Sequence, residues 1–87
     1  MYSVTYSDKA ARALRKLDRH DASMLFGWID KNLEGCENPR LYGKPLVDNL
    51  KGYWRYRVGD YRLIAHIQDE ILTIEIIKIG HRRDVYD

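Results

Sequence analysis

Hydrophobic and polar positions change period once along the chain, and the change separates a helical half from a sheet half. Tyr2 to Tyr6 alternates and is rich in Tyr, Val and Thr, which predicts a strand. Ser7 and Asp8 are capping residues ahead of a helical stretch in which Ala11, Leu14 and Leu17 recur at three-residue spacing. Lys and Arg fill the opposite face, as on a solvated amphipathic helix. Asp21 is expected to cap a second helix carrying Met24, Leu25, Trp28, Ile29 and Leu33, and Gly35 to stop it. The two helices form a predicted hairpin joined near His20 and Asp21. Gly35, Pro39, Gly43, Pro45 and Gly52 then break residues 35–52 into a loop with room for one short helical turn.

Beyond this loop the period becomes two. Tyr53 to Val58 reads as a strand, Gly59-Asp60 as a tight turn and Tyr61 to Gln68 as a strand. Asp69-Glu70 reads as a second turn and Ile71 to Ile79 as a last strand, with Gly80 ending it and His81 to Asp87 as a tail. The order βααβββ predicts an α+β fold, an antiparallel sheet with the two-helix hairpin packed on one face. At 87 residues the chain has room for one domain, 1–87, and not for two.

The turns also predict a register. A two-residue loop at Gly59-Asp60 sets Val58 opposite Tyr61, Arg57 opposite Arg62, Tyr56 opposite Leu63 and Arg55 opposite Ile64. Trp54, Tyr56, Val58, Tyr61, Leu63, Ala65 and Ile67 then point to one face, which should bury against the helices. Arg55, Arg57, Arg62, Ile64 and His66 point to the other. If Asp69-Glu70 is also a two-residue turn, Thr73, Glu75 and Ile77 join that second face. Like charges directly across an antiparallel pair are destabilising, by up to about 1 kcal/mol. The Arg57–Arg62 pair, with Arg55 beside it, therefore suggests a face kept for a polyanion. Guanidinium groups suit phosphate because their paired donors are planar and their charge is permanent. A bulge would shift this register.

Charge changes the picture by its distribution rather than its sum. The net charge is only +2, from 15 Lys and Arg against 13 Asp and Glu. Yet Lys51, Arg55, Arg57 and Arg62 stand in one short stretch with Asp60 as its one acid, and Arg82 and Arg83 follow in the tail. The single cysteine, Cys36, excludes an internal disulfide framework and an all-cysteine metal site. No apolar run is long enough to cross a bilayer, and the residues after Met1 do not resemble a secretory signal, so a cytoplasmic domain is expected. No P-loop, dinucleotide fingerprint, metal-ligand spacing or serine-nucleophile elbow is present, so neither cofactor nor metal is expected. His81, just after Gly80, has the side chain suited to proton transfer near neutrality. Tyr86 could stack on a base or pack on the body, and His66 reads as structural.

Three segments carry a resemblance: Gly43-Lys44-Pro45-Leu46, the run from Gly52 through Tyr53-Trp54-Arg55-Tyr56-Arg57-Val58-Gly59-Asp60-Tyr61-Arg62-Leu63 to Ile64, and Gly80-His81-Arg82-Arg83-Asp84-Val85-Tyr86. Together they resemble the RelE/ParE toxin superfamily of bacterial type II toxin–antitoxin modules, its RelE branch most of all. The resemblance implies an mRNA endoribonuclease that enters the ribosomal A site and cuts the codon there without a metal. In that chemistry the ribose 2′-hydroxyl attacks the adjacent phosphate, leaving a cyclic phosphate and a free 5′-hydroxyl. By the resemblance, Arg62 and Arg82 bind phosphate and Tyr86 contacts the scissile nucleotide, with Arg55 and Arg57 at positions of the same site. Lys51 and Arg83 are further RNA-binding candidates by their clustered charge.

Arg55 and Arg57 stand where the best-known member has two lysines. Arginine effectively cannot give up its proton, so these two could stabilise the transition state but not act as base. That leaves His81 as the expected proton carrier, with Glu75 in reserve. The alternative is the ParE-like branch, which poisons DNA gyrase through protein contact and has no nuclease activity. The resemblance further implies a RelB-like antitoxin partner, whose acidic segment covers the helical hairpin and the arginine face. The ribosome and mRNA are the other partners, and operator DNA is met only through the antitoxin.

Overall fold

The protein is described from a computed structural model covering residues 1–47 and 52–81. The sheet has five strands, β1 (Ser3–Tyr6), β2 (Lys44–Pro45), β3 (Trp54–Val58), β4 (Tyr61–Gln68) and β5 (Thr73–His81), in spatial order β1-β5-β4-β3-β2. Two helices, α1 (Asp8–Lys16) and α2 (Arg19–Asn32), follow β1. The expected α+β architecture is present, with two refinements. The sheet is mixed, because β1 runs parallel to β5, and β2 adds a two-residue edge strand inside the predicted loop.

Local chemistry explains the helix boundaries. Ser7 caps α1, its Oγ accepting from the Ala10 amide at 3.1 Å. Ser7 Oγ also donates to the Ile77 carbonyl at 3.2 Å, and the Ser7 amide donates to Ile76 O at 2.9 Å. One residue thus starts a helix and ties it to β5, an arrangement worth about 1 kcal/mol for the cap alone. Asp18 caps α2, accepting from the Asp21 amide at 2.8 Å, so the helices meet at Leu17-Asp18 rather than near Asp21. Asp21, expected as the cap, is thereby free for another bond: Tyr61 Oη donates to its carboxylate at 2.7 Å.

The β3–β4 hairpin follows the sequence reading pair for pair, from Trp54 opposite Ala65 to Val58 opposite Tyr61. Gly59 has φ 58°, in the left-handed region that such a tight turn needs. Tyr56, Leu63, Ala65, Leu25, Ile29 and Ile74 are fully buried between sheet and helices. Tyr56 Oη donates to Pro39 O at 2.6 Å, so even the core tyrosine's polar atom has a partner.

The β4–β5 connection departs from expectation. It is a single 3-10 turn, Asp69–Ile71, followed by Leu72 at φ 50° and ψ 49°. Strand β5 therefore begins at Thr73, with Gln68 opposite Thr73 and His66 opposite Glu75. The register then shifts: Ala65 pairs with Ile76 but Ile64 pairs with Lys78, leaving Ile77 as the extra residue of a bulge. Thr73 and Glu75 keep the face expected of them. Beyond the bulge the alternation is reversed, so that Lys78 stands where Ile77 was expected.

Candidate nucleic-acid interface

On the sheet face away from the helices, the paired positions form three rows across the strands. One row is Arg57, Arg62 and Gly80. The next is Lys44, Arg55, Ile64 and Lys78. The third carries His66 and Glu75, with the Tyr53 ring edge-on to His66 at a centroid distance of 5.5 Å. Ile64 is 1% exposed and forms an apolar floor amid the cations. Gly80, opposite Arg62, contributes no side chain to the row.

The electrostatics are those of converging like charge. Arg57 is exposed, while Arg55 and Arg62 are half-buried. Burial pushes the Arg55 guanidinium below its ordinary value, and the charges of Arg62 and then Arg57 push it further. It remains a cation, because arginine's starting value is so high. A second like-charge pair, Lys44 opposite Arg55, lies beside the Arg57–Arg62 pair. The sequence reading leaves Lys44 unassigned, because its strand pairing depends on a loop whose path no local pattern specifies. Lys78 is hidden from sequence for a different reason, the bulge.

The segment carrying Lys44 is firmly built. Trp54 Nε1 donates to Tyr42 O at 2.7 Å, and the Leu46 amide donates to Tyr53 O at 3.0 Å. Gly43, at φ 82°, lies so close to β3 that a Cβ would collide with the Arg55 carbonyl and the Trp54 indole. Arg40 holds the preceding loop to the far end of β4 through two bonds to the Asp69 carboxylate, at 3.1 and 3.0 Å. Tyr2 Oη donates to the same carboxylate at 2.6 Å. Arg40 first and Tyr2 second hold the Asp69 carboxyl below the usual carboxylate range.

The expected site residues divide into three groups. Arg55, Arg57, Arg62 and Glu75 share the face described above. His81 does not: β5 pairs it with Tyr61, and the two rings meet edge-on at 5.4 Å. Tyr61 belongs to the core-facing set, so beyond the bulge His81, the expected proton carrier, stands on the side of the sheet away from the arginines. Lys51, Arg82, Arg83 and Tyr86 lie outside the described residues. Among the described residues no group of three His, Cys, Asp or Glu side chains is placed to hold a metal ion.

Two of the hollows among the described residues bear on the site. One, about 350 Å³, opens at the β2–β3 edge among Trp28, Tyr42, Gly43, Lys44, Arg55 and Arg57. The other, about 280 Å³, is an apolar cleft on the helical side lined by Tyr6, Ala11, Leu14, Arg15 and Phe26. No helix among the described residues is long and apolar enough to cross a membrane.

The chain belongs to the family described as the ParE toxin of type II toxin–antitoxin systems, whose model matches residues 4–86. Its relatives place it on the RelE branch of the wider RelE/ParE group. Toxin RelG of Mycobacterium tuberculosis is 37% identical over 87 residues, covering 98% of this chain and 95% of the relative. Toxin RelE of the same organism is 35% identical over 85 residues, covering 98% of this chain and 86% of the relative. The toxin in the crystal structure of the M. tuberculosis toxin–antitoxin complex RelBE2 superposes with a TM-score of 0.84 at 34% identity, covering 95% of this chain and 93% of that one.

Proposed function

We propose that this toxin is a ribosome-dependent endoribonuclease that cuts mRNA codons in the A site and so stops translation. The observation that carries the reading is the opposition of Arg57 and Arg62 across the β3–β4 hairpin, with Arg55 on the same face. In the proposed reaction the 2′-hydroxyl loses its proton and its oxygen bonds to the adjacent phosphorus. The bond from phosphorus to the 5′-oxygen breaks, and that oxygen takes up a proton. Arg62, with Arg57 and Arg55, holds the phosphate and neutralises the charge that builds on its oxygens. Arg82 and Tyr86 take their phosphate-holding and stacking roles from the family resemblance. Lys51 and Arg83 extend the RNA contact by their charge beside the arginines in sequence.

Arginine supplies no base, and His81 lies against Tyr61. In this reading the 2′-hydroxyl proton therefore leaves to water or to a group that the ribosome brings to the link. The 5′-oxygen takes its proton from the same source, and Glu75 stays in reserve. Glu75 is opposite His66, four residues along β4 from Arg62 and thus about 13 Å away in strand rise. That offset is beyond hydrogen-bond reach of a link held at Arg62, so these residues do not complete the acid–base chemistry by themselves, which fits a toxin that depends on the ribosome. The partner proposed is a RelB-like antitoxin with an acidic segment, its apolar side chains seated in the Tyr6–Phe26 cleft and its acids on the arginine face. The cytoplasm, where ribosomes and nascent operons lie, is the proposed compartment.

The name of the matching family favours the second reading, a gyrase poison. Induction in cells followed by pulse labelling separates the two. Immediate loss of protein synthesis with cut mRNA is expected; DNA damage with intact mRNA would replace the proposal by the alternative.

A further inference from the structure

We propose that the hollow at the β2–β3 edge is a second nucleotide site, which takes the base and phosphate of single-stranded RNA next to the link being cut. This rests on the nuclease reading and deepens it. The volume, about 350 Å³, accommodates one nucleotide. Its wall offers both chemistries a nucleotide needs. Lys44, Arg55 and Arg57 supply cations for a phosphate, and the half-exposed Tyr42 ring, set edge-on against Trp28 at 5.8 Å, offers a face on which a base can stack.

Two features argue that the hollow is built for a ligand. Lys44 stands directly opposite Arg55, a destabilising juxtaposition that adjoins the Arg57–Arg62 pair. Strand β2 is only two residues long and keeps that unfavourable pairing through a close-packed Gly43 and the Trp54-to-Tyr42 bond. A segment so placed holds Lys44 and Tyr42 in fixed positions beside the arginine face, which preorganises them for a strand lying across the sheet.

The test uses the full chain and a fully 2′-O-methylated RNA hexanucleotide, which it cannot cut. Lys44→Ala is expected to weaken binding several-fold and to lower the slope of log affinity against log salt by about 0.7, one phosphate contact. Tyr42→Leu is expected to weaken binding about five-fold or more with the slope unchanged. Lys44→Arg should bind as the parent does. On programmed ribosomes, Lys44→Ala should raise the toxin concentration for half-maximal cutting several-fold, and Lys44→Arg should restore it. Melting temperatures of both variants serve as the control for folding. Unchanged affinity and slope in well-folded variants would overturn the proposal. So would an equal loss of binding to ribosomes with an empty A site, which assigns the hollow to ribosomal RNA. Loss of affinity for an acidic antitoxin peptide alone would make it a protein site. If Arg62→Ala loses cutting while Lys44→Ala and Tyr42→Leu do not alter RNA binding, the nuclease reading stands and only this proposal fails. If the parent itself neither binds RNA nor cuts mRNA, both fail.

Discussion

The two hairpins of the meander share one central strand yet differ in how their register is set. Between β3 and β4 a two-residue turn with a left-handed glycine feeds an unbroken ladder, and every side chain falls on the face that alternation assigns. Between β4 and β5 a 3-10 turn, a left-handed leucine and a bulge intervene, and alternation fails beyond Ile77. The first hairpin gathers Arg55, Arg57 and Arg62 on one face. The second brings Lys78 onto that face and turns His81 off it. A regular turn sets a face that can be read directly from sequence, whereas a single extra residue exchanges which side chains share that face.

The largest expected effect sharpens this contrast. Arg62→Ala should lower single-turnover cutting on programmed ribosomes by about 10²–10³-fold, the range seen when a transition-state donor is removed. His81→Gln, on the opposite face, should change the rate by less than about three-fold; a loss as large as that for Arg62→Ala would return His81 to the site. Next in size is the tie between α1 and the bulge. Ser7→Ala removes the cap and the bond to Ile77 O, and denaturant unfolding should show a loss of about 1–2 kcal/mol. Arg57→Thr should act in two directions at once. It relieves a like-charge pair, so stability should rise by up to about 1 kcal/mol, while cutting slows. A less stable Arg57→Thr variant would show that the pair is no burden on the fold.

How much was legible follows the same division. The α+β order, the buried set from Trp54 to Ile67 and the arginine face follow from alternation and turn chemistry, which are local. The parallel pairing of β1 with β5 joins residues such as Ser3 and Thr73, and no local pattern encodes it. The α2 cap moved from Asp21 to Asp18 because two acids at neighbouring turns compete, and Tyr61 settles the matter by bonding Asp21. Lys44 was illegible because its pairing depends on Gly43 packing against a strand twelve residues downstream of it.

A smaller effect concerns alkaline pH. Tyr61, bonded to Asp21 and buried, is pushed up to about 12. The hydroxyl form is favoured in the folded state, so this contribution is intact below the unfolded value near 10 and is lost as pH rises from there towards 12. Tyr61→Phe should flatten that part of the stability profile, as followed by urea unfolding at successive pH values. Smallest of all, Leu72→Asn should stabilise by about 0.5 kcal/mol, since asparagine tolerates the left-handed backbone that leucine occupies at a cost. A thermal shift in the other direction would mean that the Leu72 side chain repays that cost in packing.

The most direct measurement is a primer-extension map of mRNA 5′ ends, with and without ribosomes, for the parent and Arg62→Ala. The expected result is new ends within A-site codons, only when ribosomes are present and only with the parent. Ends that persist undiminished with Arg62→Ala, or no ends at all while translation still stops, would contradict a nuclease built on this arginine face.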